Sequence, residues 1–274
     1  MKAAIRRSQI LQDLEDVGSV TVVHLASRFS VSPMTIRRDL LELERASLAR
    51  RVHGGAVTGR GRSYEPPYML RTAERVNVKA RIGELAASLI AEGDSVALDA
   101  GSTCLAVAHG LRGRRNLTVV TPGLRIAEAL VDEPEIRLIV AGGIVRPGEA
   151  SLTGELARHT FGELSVDRLV LGVGGIDASF GFSEYNWDDV LVKQAMIRSA
   201  KEVVVVADAR KFGQIAFARI AGLEVATTLV TDEEPAGDLL AALKSAGVNV
   251  VVANDPPEPD PRPSRPTNYQ QESK

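Results

Sequence analysis

The chain has 274 residues, 25% of them charged and 45% apolar, a formal net charge of −2 and a single cysteine. This length exceeds the usual single domain and predicts two, each able to bury its own core. One cysteine excludes an internal disulfide, and four scattered histidines lack metal-ligand spacing. No apolar run approaches the roughly 18 residues a membrane span needs, and the N-terminus turns polar too soon for a signal peptide, so a cytoplasmic protein without cofactor or membrane partner is expected.

Charge is unevenly spread. Residues 1–56 hold nine Lys/Arg against six Asp/Glu, or +3, which leaves 24 against 29, or −5, for the rest. A mildly basic head on an acidic body permits nucleic-acid contact. In the head, Ile5, Ile10, Leu11 and Leu14 have helical spacing up to Gly18, and Val22, Val23, Leu25, Ala26 and Phe29 predict a second short helix. Ser32 followed by Pro33 signals a third, because serine can cap free amides and proline suits the first helical position. On that helix Ile36, Leu40 and Leu43 fall on one arc. Met34, Arg38 and Arg45 lie opposite, flanked by Thr35 and Arg37. One face docks and the other is free to enter a DNA groove, where arginine forks suit guanine edges and phosphates. "LARRVHGGAV" then alternates apolar and basic residues before Gly54-Gly55, as a short wing would, placing Arg50, Arg51 and His53 near a DNA backbone.

The glycines, arginines and double proline of "VTGRGRSYEPPYMLRTAER" predict a linker over residues 59–75, between a domain at 3–58 and another at 76–253. Beyond it, the runs "SVALDA", "LTVVT", "IRLIVAGG", "DRLVLGVGG", "VVVVAD", "TTLVT" and "VNVVVA" alternate with helix-like stretches. That order predicts an α/β domain with a largely parallel sheet. Ligands of such sheets bind beyond the carboxyl ends of strands. There stand "DAGSTC", "TPG", "GGIVRPGEASLTG" with Gly143, "GVGGID" with Gly175, and "DARKFG". Their glycines, hydroxyls and the charges of Asp99, Arg146, Asp177 and Lys211 suit a small phosphorylated ligand. Residues 254–274 hold six of the thirteen prolines and almost nothing apolar, which predicts a disordered tail.

"VSPMTIRRDLLELE" followed by "RRVHGGAV" resembles the winged helix-turn-helix of the DeoR family of bacterial transcription regulators. "DAGSTC", "GGIVRPGEASLTG", "GVGGIDASFGFS", "VKQAM" and "ADARKFG" resemble that family's C-terminal sensor domain. The resemblance implies a winged helix-turn-helix, all-α with a small β wing, joined to an α/β domain similar in fold to ribose-5-phosphate isomerase. It implies that Val22 to Phe29 is the positioning helix and Ser32 to Glu44 the recognition helix. Ser32, Met34, Thr35, Arg37 and Arg38 would then face an operator in double-stranded DNA, with Arg51 and His53 on the wing. In the sensor it implies phosphate held by Gly101, Ser102 and Thr103, with Asp99 bracing the loop or binding a hydroxyl, and Asp177, Lys193 and Lys211 at the sugar end. The sequence departs from the family pattern at Cys104, where threonine is frequent, and at "TPG" in place of Thr-Asn-Ser/Asp. Trp187 adds a large ring near the presumed site.

The function so implied is a DNA-binding repressor, a dimer or tetramer, controlled by a small phosphorylated sugar or related metabolite. The rival is a sugar-phosphate isomerase with a DNA-binding head. Aldose-ketose isomerisation needs a carboxylate base. The isomerases carry glutamate before the lysine matching Lys193, where this chain has Val192, so only Glu184 or Asp188 could substitute. Cys104 is a poor nucleophile because no histidine has a recognisable place beside it. A third reading leaves the C-terminal domain to oligomerise alone.

Overall fold

The computed structural model describes residues 3–45, 48–57 and 62–254, with backbone alone at 15, 16, 50 and 57. Residues 255–274 of the predicted tail fall outside this range, as do residue 58 of the predicted head and residues 59–61 of the predicted linker. Among the described residues no helix is long and apolar enough to cross a membrane.

The head contains α1 (Ala3–Val17), β1 (Ser19–Thr21), α2 (Val22–Phe29), α3 (Pro33–Arg45), β2 (Arg50–Val52) and β3 (Gly55–Val57). Its core is built from Ile10, Leu11 and Leu14 of α1, Val22 and Leu25 of α2, and Ile36, Leu40 and Leu43 of α3. Ile5 and Val23, expected on the buried faces, are exposed instead. Thr21 caps α2 by accepting from the His24 amide at 3.2 Å, and Ser30 ends the helix in the left-handed conformation at φ 52°. Helix α2 thus starts and stops at short-range signals. β2 and β3 form the expected antiparallel wing, and β1 pairs with the other side of β3.

The second unit begins with α4 (Tyr68–Ala73) and α5 (Val76–Ser88). Then follow β4 (Ser95–Leu98), α6 (Ser102–Leu111), β5 (Leu117–Thr121), α7 (Leu124–Leu130), β6 (Ile136–Val140), the hairpin β7 (Ile144–Arg146) and β8 (Ser151–Thr153), α8 (Glu155–Gly162) and β9 (Val166–Gly172). Next come the hairpin β10 (Gly175–Asp177) and β11 (Gly181–Glu184), α9 (Trp187–Ser199), β12 (Ala200–Val206), β13 (Ala218–Ala221), β14 (Thr228–Thr231), α10 (Gly237–Ser245) and β15 (Asn249–Val252). Seven strands form one sheet in the order β15-β14-β12-β9-β4-β5-β6, and every pairing in it is parallel.

Both faces of this sheet are covered, which is why its strands read as continuous apolar runs. Val203 and Val205 join a core with Phe161, Val190 and Met196. Val204 and Val206 point the other way, to a core with Ile82, Val107, Leu111 and Leu130. The strand order also reverses. From β4 the chain runs outward through β5 and β6, then returns to the other side of β4 as β9 and runs outward again through β12, β14 and β15. Right-handed crossovers taken in opposite directions put α6 and α7 on one face and α9 and α10 on the other. They also leave a crevice between the carboxyl ends of β4 and β9.

Candidate functional site

Two places gather the polar residues that stood out in the sequence. In the head, the Ser32 hydroxyl accepts from the Thr35 amide at 3.2 Å and shares a 2.9 Å hydrogen bond with the Thr35 hydroxyl, capping the first turn of α3. Burial of Ile36, Leu40 and Leu43, with a 2.6 Å ion pair between Asp39 and Arg6, fixes the inner face. Met34, Arg37 and Arg38 therefore project into solvent, while Thr35 is half-buried. Across a cleft from Arg37 stand the exposed Arg51 and His53 of the wing. Arg51 is partly tethered, since its amide donates to Glu44 Oε1 at 3.0 Å and its guanidinium lies 3.6 Å from Glu44 Oε2. The Arg50 side chain falls outside the described residues.

The second place is a cavity at the carboxyl ends of β4, β9 and β12, over the crevice where the strand order reverses. One wall is Gly101, which joins β4 to α6, with Ser102, Thr103 and Cys104 of the first turn of α6. No side chain caps the first turn of α6, so its free amides and the two hydroxyls make an anion-seeking surface. The floor is a buried ion cluster. Lys193 Nζ donates to Asp99 Oδ2 at 2.6 Å and to the Gly172 carbonyl at 2.8 Å, and lies 3.1 Å from Glu184 Oε2. Asp99 Oδ2 also accepts from the Gly172 amide at 3.0 Å. The cluster therefore ties β4 to β9 at their ends. Burial opposes the Lys193 charge, but Asp99 and Glu184 outweigh it and raise the ammonium above the ordinary lysine range. Burial likewise works to raise Glu184, yet Lys193 and the Tyr185 amide outweigh it and hold the carboxyl below its usual value.

The cations higher in the cavity are less well matched. Burial, with Arg71 and Arg210 nearby, pushes Lys211 below the usual lysine range despite Glu184 and Asp208. Burial and the same two arginines push Lys79 down to about 8, against Asp208 and Glu74. An anion entering here would relieve that repulsion. Beside this chamber lies a more acidic one lined by Glu65, Arg71, Asp99, Arg146, Glu149 and Asp189. Arg146 bridges Glu65 at 2.9 Å and Asp189 at 2.7 Å, and Asp189 accepts from the Ser151 hydroxyl at 2.9 Å. Burial and the nearby Glu184 push the Glu65 carboxyl up to about 7, against Arg71 and Arg146.

The same division appears in comparison with known proteins. The profile described as "DeoR-like helix-turn-helix domain" matches residues 6–60, and that described as "DeoR C terminal sensor domain" matches residues 74–233. The chain belongs to the DeoR family. Among relatives of this DeoR-family regulator, the glycerol-3-phosphate regulon repressor of Escherichia coli K12 is 33% identical over 243 residues, 89% of this chain and 96% of that one. The transcriptional repressor AccR of Agrobacterium fabrum is 36% identical over 231 residues, 83% and 88% of the two chains. A solved ribose 5-phosphate isomerase A from Methanocaldococcus jannaschii is 16% identical, with a TM-score of 0.39 over 51% of this chain and 55% of that one.

The structure of this DeoR-family chain brings together Gly101, Ser102, Thr103, Cys104, Lys193 and Lys211 as lining residues, with Asp99 directly beneath. Arg146 lines the acidic chamber instead. Three expected residues are not brought to either chamber. Asp177 Oδ1 accepts from the Ser179 and Phe180 amides and the Ser179 hydroxyl, so it shapes the turn between β10 and β11. Gly143 has φ 141°, and a side chain there would strike the Thr153 carbonyl. Gly175 leaves room for the Gln214 carbonyl in the same way. The "TPG" loop is structural as well, since the Pro122 carbonyl accepts from Leu152. Trp187 is exposed and lines neither chamber.

Sequence reasoning missed Arg71, Lys79, Glu65, Tyr185 and Arg210. Glu65 and Arg71 lie within the stretch expected to be a linker, where residues 68–73 are helical and pinned to the sensor. Of the two carboxylates considered as substitute bases, Glu184 lines the cavity, whereas Asp188 is exposed in the first turn of α9. Val192 is core. Burial, reinforced by Asp99, raises the Cys104 thiol well above its ordinary value, which leaves it protonated and unreactive.

Proposed function

We propose that this DeoR-family regulator is a cytoplasmic repressor whose head, residues 3–58, binds an operator, and whose sensor, residues 76–253, takes a small phosphorylated sugar or related metabolite. The observation that carries the reading is the cavity at the strand-order reversal, where free α6 amides and the Ser102 and Thr103 hydroxyls face under-compensated cations. The names of the relatives support it, one being a repressor of a glycerol-3-phosphate regulon. In the head, Ser32, Met34, Thr35, Arg37 and Arg38 would meet the major groove, and Arg51 and His53 the backbone. A symmetric dimer or tetramer would space two heads by a helical turn of DNA. Control requires that the ligand favour one arrangement of heads over another.

The test is thermal melting of the full chain with a panel of sugar phosphates, since a ligand that binds only the folded state raises the melting temperature by mass action. At least one compound should give a shift. Ser102→Trp combined with Thr103→Trp should lose that shift while operator binding persists. No shift from any compound would favour a sensor that only oligomerises. Conversion of ribose 5-phosphate without DNA would favour an isomerase using Glu184 as base.

A further inference from the structure

The cations of the phosphate chamber are unequal in origin. Lys193 and Lys211 belong wholly to the sensor, but Arg71, Lys79 and Arg210 are each bonded to the segment 65–75 that precedes it. Arg71 is part of that segment, and its guanidinium pairs with Glu65 at 3.0 Å, with Glu149 across the gap, and with the Pro66 carbonyl at 3.0 Å. The Lys79 ammonium donates to the Arg71 and Glu74 carbonyls, the latter at 3.1 Å, and so caps the carboxyl end of α4. Arg210 pairs with the Glu74 carboxylate at 2.7 Å. The segment is therefore a strap, and its fastenings face the same space as the free amides of α6.

We infer that Arg71 and Lys79 are anion-binding residues of the sensor, and that a bound phosphate bridges the strap to the α6 amides and Lys211. This rests on the phosphate-site reading above. Ligand occupancy then changes the holding of the residues that immediately follow the head in the chain. The guanidinium has donors beyond those used by Glu65 and Glu149, so it can accept a phosphate without releasing the strap. Lys79 gains because the repulsion from Arg71 and Arg210 is neutralised. A phosphate thus tightens the strap.

The probe is inorganic phosphate, titrated against the full chain and followed by melting temperature and by hydrogen exchange of the amides at 65–75. Wild type should melt higher with phosphate, and exchange across the strap should slow. Arg71→Gln and Lys79→Met should each raise the half-saturating phosphate concentration about tenfold or more, as loss of a charge-assisted hydrogen bond requires. Lys79→Met keeps the buried stem, so it remains informative if Arg71→Gln weakens the fold. If phosphate shifts neither melting nor exchange in wild type, the site reading itself fails. If wild type responds and both variants respond at the same concentration, or if strap exchange is unchanged while melting shifts, the strap assignment is overturned.

Discussion

The head and the sensor both present basic residues, but in opposite states. Among the described residues Arg37 and Arg38 form no ion pair and stand in water. In the sensor, Arg71, Arg210 and Lys193 are all partnered and at least partly withdrawn from solvent. Exposed charge is cheap to hold and suits a long polyanion that surrenders its counterions on contact. Charge taken into a cavity must be largely compensated beforehand, because an unpaired buried cation costs several kcal/mol. The first surface suits a ligand larger than itself, and the second suits the enclosed phosphorylated ligand proposed above.

The contrast should break hardest at Lys193. Lys193→Met leaves Asp99 and Glu184 without their shared cation and should cost about 3–5 kcal/mol, read from denaturant unfolding of the sensor. A loss below about 1 kcal/mol would mean the cluster is not the clamp between β4 and β9 described above. Arg38→Ala tests the other pole. It should lower operator affinity by about 1–3 kcal/mol, abolish preference over unrelated DNA and leave the melting temperature nearly unchanged. Retained preference in a binding titration would remove Arg38 from recognition.

The smallest effect concerns pH. The Lys79 ammonium sits at about 8, below the ordinary lysine range, through burial and the repulsion of Arg210 and Arg71 against Asp208 and Glu74. Between about 8 and the ordinary value the folded chain binds fewer protons than the unfolded one, so Lys79 makes the sensor more stable as pH rises through that window. Phosphate prefers the charged ammonium, so its affinity should fall over the same range, where phosphate is already a dianion. Opposite slopes in melting and in phosphate titration, both flattened by Lys79→Met, would separate this group from the rest. Parallel slopes would contradict it.

What the sequence makes legible follows from distance along the chain. Helix α3 is readable because its cap, Ser32 with Thr35, and its inner face, Ile36, Leu40 and Leu43, repeat within a few residues. The parallel sheet is readable from apolar runs punctuated by helices, and the strand-to-helix junction at 101–104 from its position after a strand. Asp177 and Gly175 stand in β10 and Gly143 just before β7, outside both chambers, since hairpins draw on the same residue types as ligand loops. The strap is hidden for a different reason. Arg71 meets Glu149 and Glu74 meets Arg210 across 78 and 136 residues, and no spacing rule reaches that far. Its prolines signal a break in regular structure, which is correct locally and silent about where the segment lies.

Cys104 shows how a departure from a family pattern can be put to use. Its thiol is buried against Gly172 at the top of the β4–β9 crevice, and it is the single cysteine in the chain. A thiol reagent can reach it only when the sensor parts at that crevice. The rate of alkylation is therefore a clock for opening, set at the place where ligand is proposed to enter and free of signal from the head.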